Sequence, residues 1–262
     1  MAAYSPLIAL FALAPKLRLA SNRALSVYLP ARAEGYDPRF YDIEIGDLVH
    51  RYKDRMTEKD RSLMDYELRR LRARLAVVRP AGCPAIACFA DEAAGISQVI
   101  KLRHSTDKRL EVGELLIAPI LRQLEETPPA LIAVVDKEHG RTFGAILDYV
   151  IPLDEVVGAE VRKTRAGGTS APSNQRKADN RARANLEMVA KTVEREMASG
   201  AYQLLYVAGP DEARSLLEKL LPESLRKKIA GRLGMMVDSP TLKQDLRERL
   251  AAAMASGAKA AR

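Results

Sequence analysis

The sequence predicts an α/β protein made of two α/β units, the second a mixed sheet with flanking helices. Three observations predict it. Short aliphatic and β-branched runs, such as Ala130–Asp136 (ALIAVVD) and Tyr202–Ala208 (YQLLYVA), end in turn-forming or charged residues. They alternate with longer stretches whose apolar residues recur at helical spacing, as in Leu186, Val189, Val193 and Met197. The chain has 262 residues, the length of one large domain or two modest ones, and 47% are hydrophobic, which excludes global disorder.

The first unit is read over residues 1–111. Ala24–Pro30 is a strand closed by proline. Asp42–Arg55 and Glu58–Val77 are helices. The second carries Leu63, Leu68, Leu71 and Leu75 near helical spacing, with Arg69, Arg70, Arg72 and Arg74 between them as a solvated face. Ala85–Ala90 and Ser97–Leu102 are strands joined by a turn at Glu92–Gly95. Cys83 and Cys88 are too widely spaced for a zinc knuckle or a thioredoxin-type pair, and the apolar run Ala85–Ala90 around them predicts buried free thiols, in keeping with a reducing cytoplasm. The apolar run Leu7–Ala14 lacks a basic segment before it, so an N-terminal helix is expected rather than a secretory signal. No run approaches the roughly 18–20 apolar residues that span a bilayer, so no membrane partner is expected.

The second unit is read over residues 112–262. Val112–Glu126 is a helix with a kink or a late start at Pro119. Ala130–Asp136 and Thr142–Tyr149 form a hairpin about a turn at Lys137–Arg141, and Val156–Lys163 is a third strand. The pattern breaks in the polar stretch Arg165–Asn180. A long helix then runs to about Ala198, stopped by Gly200. Tyr202–Ala208 is a strand, and Asp211–Leu221 a helix capped by Asp211. Glu223–Ala230 is a short helix, Leu233–Val237 the last strand, and a final helix runs from Pro240 through Leu242, Leu246 and Leu250. The tail, Ala251–Arg262, is expected to fray.

The formal net charge is +8 and the pI about 9.5. Such a balance serves solubility or a polyanionic partner, and its placement decides between them. The cations gather around one segment. Arg162, Lys163 and Arg165 precede Gly167-Gly168-Thr169-Ser170-Ala171, and Arg176, Lys177, Arg181 and Arg183 follow, opposed only by Asp179. Adjacent glycines let another backbone approach closely. A cationic tip on a rigid body suits a cavity walled by phosphates. A surface loop with incidental charge is the competing reading. Gly167–Gln175 holds almost no large apolar residue and is expected to be mobile.

This order of elements, a hairpin, a third strand, a Gly-Gly-X-Ser-Ala loop and a long basic helix, resembles the middle domain of the class I peptide chain release factors of eukaryotes and archaea, with their Pelota branch and bacterial relatives. The family loop reads Gly-Gly-Gln-Ser-Ala, with an arginine five residues later. Here Gly167, Gly168, Thr169, Ser170 and Ala171 stand in the loop, and Arg176 at the matching place. The resemblance covers roughly residues 112–250. It implies an RNase H-like sheet, a ribosomal partner (rRNA and tRNA), a partner GTPase as a candidate, and no cofactor. The first unit resembles the N-terminal domain of bacterial members, and the third domain of the eukaryotic factors has no counterpart. In the family the loop glutamine positions water against the peptidyl-tRNA ester, and its backbone amide stabilises developing charge. Thr169 keeps the amide and loses the side chain. Gln175 is a candidate substitute, so Gly167, Gly168, Thr169 and Gln175 form the candidate catalytic set. Ester hydrolysis and silent occupancy of the ribosome both stay open.

Other constellations are weaker. His50, His104 and His139 are far apart, with no metal-ligand neighbours at usable spacing, so no metal is expected. Asp136 and His139 read as turn residues. No Walker loop, nucleophile elbow or dinucleotide fingerprint is present. The functional reading is a cytoplasmic, ribosome-associated factor acting in termination, rescue or hibernation. The alternative is a stress-response adaptor that keeps the fold and has left the ribosome.

Overall fold

The computed structural model describes residues 23–161, 171–237 and 241–260. The expected N-terminal helix over Leu7–Ala14 lies outside them. The chain divides between Glu126 and Thr127 into two units, each with its own core.

In the first unit β1 (Ala24–Pro30) leads to α1 (Pro38–Tyr52), a 3-10 turn (Lys53–Arg55) and α2 (Glu58–Val78). Then come β2 (Ala85–Asp91), β3 (Ile96–Leu102), β4 (Arg109–Gly113) and α3 (Ala118–Glu126). The helices start where their caps are. The Asp37 carboxylate accepts from the Arg39 amide at 3.0 Å with Pro38 in the first turn, and Thr57 Oγ1 accepts from the Asp60 amide at 3.2 Å. The sheet order is β3-β2-β1-β4, antiparallel throughout. Period-two alternation sends Leu25, Val27 and Leu29 to one face, beside Ile86, Cys88 and Ala90. They pack on Ile45 and Leu48 of α1 and on Leu68, Leu71 and Leu75 of α2.

β4 was not expected; it straddles the position 111/112 and pairs with β1. The helix expected from Val112 starts at Ala118, so Pro119 sits in the first turn, where its missing N–H costs nothing. The link ahead of α3 is tied to the first sheet by the Leu116 amide, which donates to Ser26 Oγ at 3.0 Å. Gln123 of α3, itself buried, accepts from the Arg103 and His104 amides and returns a bond to the His104 carbonyl at 3.0 Å.

The second unit runs β5 (Ala130–Val135), β6 (His139–Ile146), β7 (Tyr149–Val157), α4 (Ala171–Ala198), β8 (Leu204–Ala208), α5 (Asp211–Leu220), α6 (Glu223–Arg226), β9 (Ile229–Leu233) and α7 (Leu242–Ala260). The sheet order is β7-β6-β5-β8-β9. β5, β6 and β7 are antiparallel neighbours, and β5, β8 and β9 are parallel. This is the expected mixed sheet with flanking helices. Leu131, Ala133, Val135, Leu205 and Val207 face Leu186, Val189, Val193 and Met197 of α4 and Leu217 of α5. Ile132, Val134, Phe143 and Tyr206 face Leu242, Leu246 and Leu250 of α7.

Several boundaries differ from expectation. The third strand is Tyr149–Val157, not Val156–Lys163, because a tight turn at Leu147-Asp148 reverses the chain earlier. Leu147 is buried at φ +49°, a conformation that a leucine does not advertise. The last strand is Ile229–Leu233, not Leu233–Val237, and the short helix before it stops at Arg226. Asp211 is the first helical residue, paired with Arg214, and the cap position belongs to Pro210, without a side-chain cap bond. α7 continues through the tail to Ala260.

Candidate nucleic-acid interface

α4 begins at Ala171, so Ala171–Gln175, expected as mobile loop, are helical. Pro172 falls in the first turn, the one place in a helix that accepts it. Arg162, Lys163, Arg165, Gly167, Gly168 and Thr169 lie outside the described residues. The rest of the predicted set sits on the first turns of α4. Gln175 is exposed, and its Nε2 donates to Asp179 Oδ1 at 2.8 Å. Arg176, Lys177, Arg181 and Arg183 are all exposed. Arg183 pairs with Glu187 at 3.0 Å, and Arg181 donates to the Glu160 carbonyl at 3.4 Å. Arg176 and Lys177 pair with no acid among the described residues.

The first turn of α4 holds no acidic residue. A helix N-terminus carries partial positive charge, so cations there are unfavourable within the isolated chain and favourable once an anion arrives. The charge distribution sharpens this. Within 127–262, residues 162–183 hold seven Lys or Arg against one Asp, whereas the remainder holds 15 Lys or Arg against 16 Asp or Glu. The cationic character of this unit is therefore local, which general solubility does not require.

The stem that carries the chain into this segment is firmly held. Asn185, on the sheet-facing side of α4 between Ala182 and Leu186, is 4% exposed. Its Oδ1 accepts from the Ala159 amide at 2.9 Å, and its Nδ2 donates to the carbonyls of Ala159 at 2.8 Å and Lys137 at 3.0 Å. Gly158 makes room for it: a Cβ at 158 would lie 2.2 Å from Asn185 Cγ. Glu138 adds two bonds, its carbonyl accepting from the Gly158 amide at 2.8 Å and its carboxylate from the Val161 amide at 2.9 Å. The Lys137–Glu138 turn is shaped by Asp136, whose Oδ1 accepts from the amides of Glu138 and His139, both at 2.6 Å. Asp136 is thus a turn aspartate, as expected. His139 opens β6 with Nδ1 3.5 Å from Asp136 Oδ2. Sequence reading missed Asn185, Glu138 and Gly158. The available signal was a lone amide on the otherwise apolar face of α4, since a buried amide must find partners.

Cys83 and Cys88 are buried and not joined in a disulfide, and burial pushes the Cys88 thiol above its ordinary range. No cluster of potential metal ligands occurs among the described residues. On the exposed edge beside α4, the hydrogen bond from Arg195 holds the Asp154 carboxyl below its ordinary value. No described helix is long and apolar enough to cross a membrane.

Two α/β units, the second with a mixed sheet and a local cationic segment, leave a wide choice of family. Comparison with known families narrows it. Residues 116–255 match the model of bacterial archaeo-eukaryotic release factor family 10, and the chain belongs to that family. Among solved structures, an archaeal translation termination factor, aRF1, is similar at 14% identity over 96% of this chain and 73% of that one, with a TM-score of 0.39. Pelota of Archaeoglobus fulgidus is similar at 14% identity over 65% of this chain and 49% of that one, TM-score 0.33. The Thermoplasma acidophilum Pelota protein is similar at 10% identity over 58% and 44%, TM-score 0.30. At such scores the family assignment rests on the sequence match alone. No curated protein matches the chain.

Proposed function

We propose that this protein is a ribosome-associated translation factor that acts in termination, rescue or hibernation, with the basic segment 162–183 directed at structured RNA of the peptidyl transferase centre. Membership of a release factor family supports the translational role. The observation that carries the binding surface is the excess of seven Lys or Arg over one Asp within residues 162–183, in a unit whose other charges nearly balance. The buried Asn185 clasp supports it, since the stem is held at a defined point of the sheet. Phosphate contacts of this kind set affinity and its salt dependence.

Within this reading we favour occupancy without ester hydrolysis. Thr169 has no side-chain amide, and Gln175 is on a helix with its amide engaged by Asp179. A peptidyl-tRNA release assay on purified ribosomes separates the two versions. Wild type is expected to co-sediment with ribosomes and release no labelled peptide, and Thr169→Gln is expected to gain release if the backbone reaches the ester. Release by wild type that Gln175→Ala abolishes would refute the non-hydrolytic version. Failure to co-sediment would refute the ribosomal reading and favour the adaptor.

A further inference from the structure

Arg226, Lys227 and Lys228 are consecutive, and all three are exposed. They are set in ordered backbone. The amides of Arg226 and Lys227 donate to the carbonyls of Pro222 and Glu223, both at 3.0 Å, and the Lys228 amide donates to Leu225 at 2.9 Å. The Lys228 carbonyl accepts from the Leu205 amide at 2.9 Å, which joins the triplet directly to β8. Leu225 and Ile229 on either side pack against the α4–α5 core. Lys227 pairs with Glu223 at 2.9 Å. Arg226 and Lys228 pair with no acid among the described residues. Arg226 lies in the last turn of α6, where a cation suits the helix dipole, but a single one-turn helix does not call for three.

The triplet and the α4 segment stand at opposite corners of one sheet. Lys228 enters β9, one edge strand, at the level of Leu205 and hence of Ala130–Leu131 at the start of β5. The stem 158–161 follows β7, the other edge strand, and is bonded to the turn beyond the end of β5. Six residues of strand and four inter-strand gaps separate them, roughly 20 Å in each direction. Apart from these two segments, residues 127–262 hold 12 Lys or Arg against 16 Asp or Glu. The unit's excess positive charge is thus concentrated in two patches on an otherwise slightly acidic body.

We infer that Arg226-Lys227-Lys228 is a second phosphate-backbone contact, so that the unit grips folded RNA at two points rather than through the α4 segment alone. This rests on the proposed RNA-binding role. A fixed pair of cationic points suits the phosphate lattice of a folded RNA, whose charges recur at set distances, and the ordered turn spends little entropy on binding. An acidic protein surface is the occupant that remains if neither RNA probe requires the triplet.

The test uses the full chain with two probes, purified ribosomes and a duplex RNA of about 20 base pairs, titrated in salt. Arg226→Ala/Lys227→Ala/Lys228→Ala is expected to weaken binding to both about tenfold near physiological salt. It should also reduce the log–log salt slope by about two to three, one unit per lost contact. Arg226→Lys/Lys227→Arg/Lys228→Arg, which keeps the charge, is expected to bind as wild type does. Affinity and slope unchanged on both probes in the alanine variant would overturn the inference. So would loss of affinity in both variants alike, which would report a structural role. Wild type that ignores ribosomes but binds the duplex, with the triplet still required, would sink the ribosomal reading and leave this contact standing.

Discussion

Asn185 takes a primary amide out of water and satisfies it on three backbone groups, so its removal leaves the Ala159 amide and the Lys137 carbonyl without those partners. Asn185→Ala is expected to destabilise the second unit by about 1–3 kcal/mol in urea unfolding. It should also speed amide exchange at Ala159. Gly158→Ala should do the same by the opposite route, since its Cβ would occupy the Asn185 side chain. In the first unit, burial pushes Cys88 upward from 9.0, and Tyr28 and Tyr41 upward from 10.0. The unfolded chain then loses these protons first. Their contribution to stability is complete below about pH 9 and is lost as pH rises toward the folded-state values. The urea midpoint of the first unit is expected to fall between pH 8 and pH 11, and less steeply in Cys88→Ala. A midpoint flat across that range would show that these groups are not held in their neutral forms.

At the scale of elements, α4 joins the core to the cationic segment: one side carries Leu186, Val189 and Val193, the exposed first turns carry Arg176 and Lys177. Leu186→Ala is expected to cost about 2–5 kcal/mol in the second unit, the usual range for a buried leucine. Arg176→Ala/Lys177→Ala should leave stability unchanged and lower only RNA affinity, which melting and binding curves together check. Much of this element was legible, because its 3.6-residue stripe and its basic start are written in residue types. Its first turn was not: Pro172, Ser173 and Asn174 read as loop until the helix is seen to begin at Ala171. β4 escaped for a related reason. Arg109–Gly113 does alternate, with Leu110 buried and Val112 half-buried against the core, but two apolar residues are too short a run to separate a strand from the start of a helix. The Leu147-Asp148 turn lacks the Gly or Asn that marks a tight hairpin. The Asn185–Gly158–Glu138 clasp joins residues up to 47 positions apart, and only folding brings them together.

The two units have separate cores, so a fragment of residues 127–262 is expected to unfold cooperatively by itself. A fragment ending at residue 111 would cut through β4, losing the pairing of Val112 and Gly113 with Leu25 and Ala24 as well as α3, and should be markedly less stable than one ending at 126. The second unit is proposed to meet ribosomal RNA through a cationic surface. The most direct measurement is the affinity of the full protein for purified ribosomes as a function of salt, beside Arg162→Ala/Lys163→Ala/Arg165→Ala/Arg176→Ala/Lys177→Ala. Wild type is expected to show a steep linear fall of log affinity with log salt, and the variant a slope shallower by about four. Equal affinity and equal slope in the two proteins would contradict it.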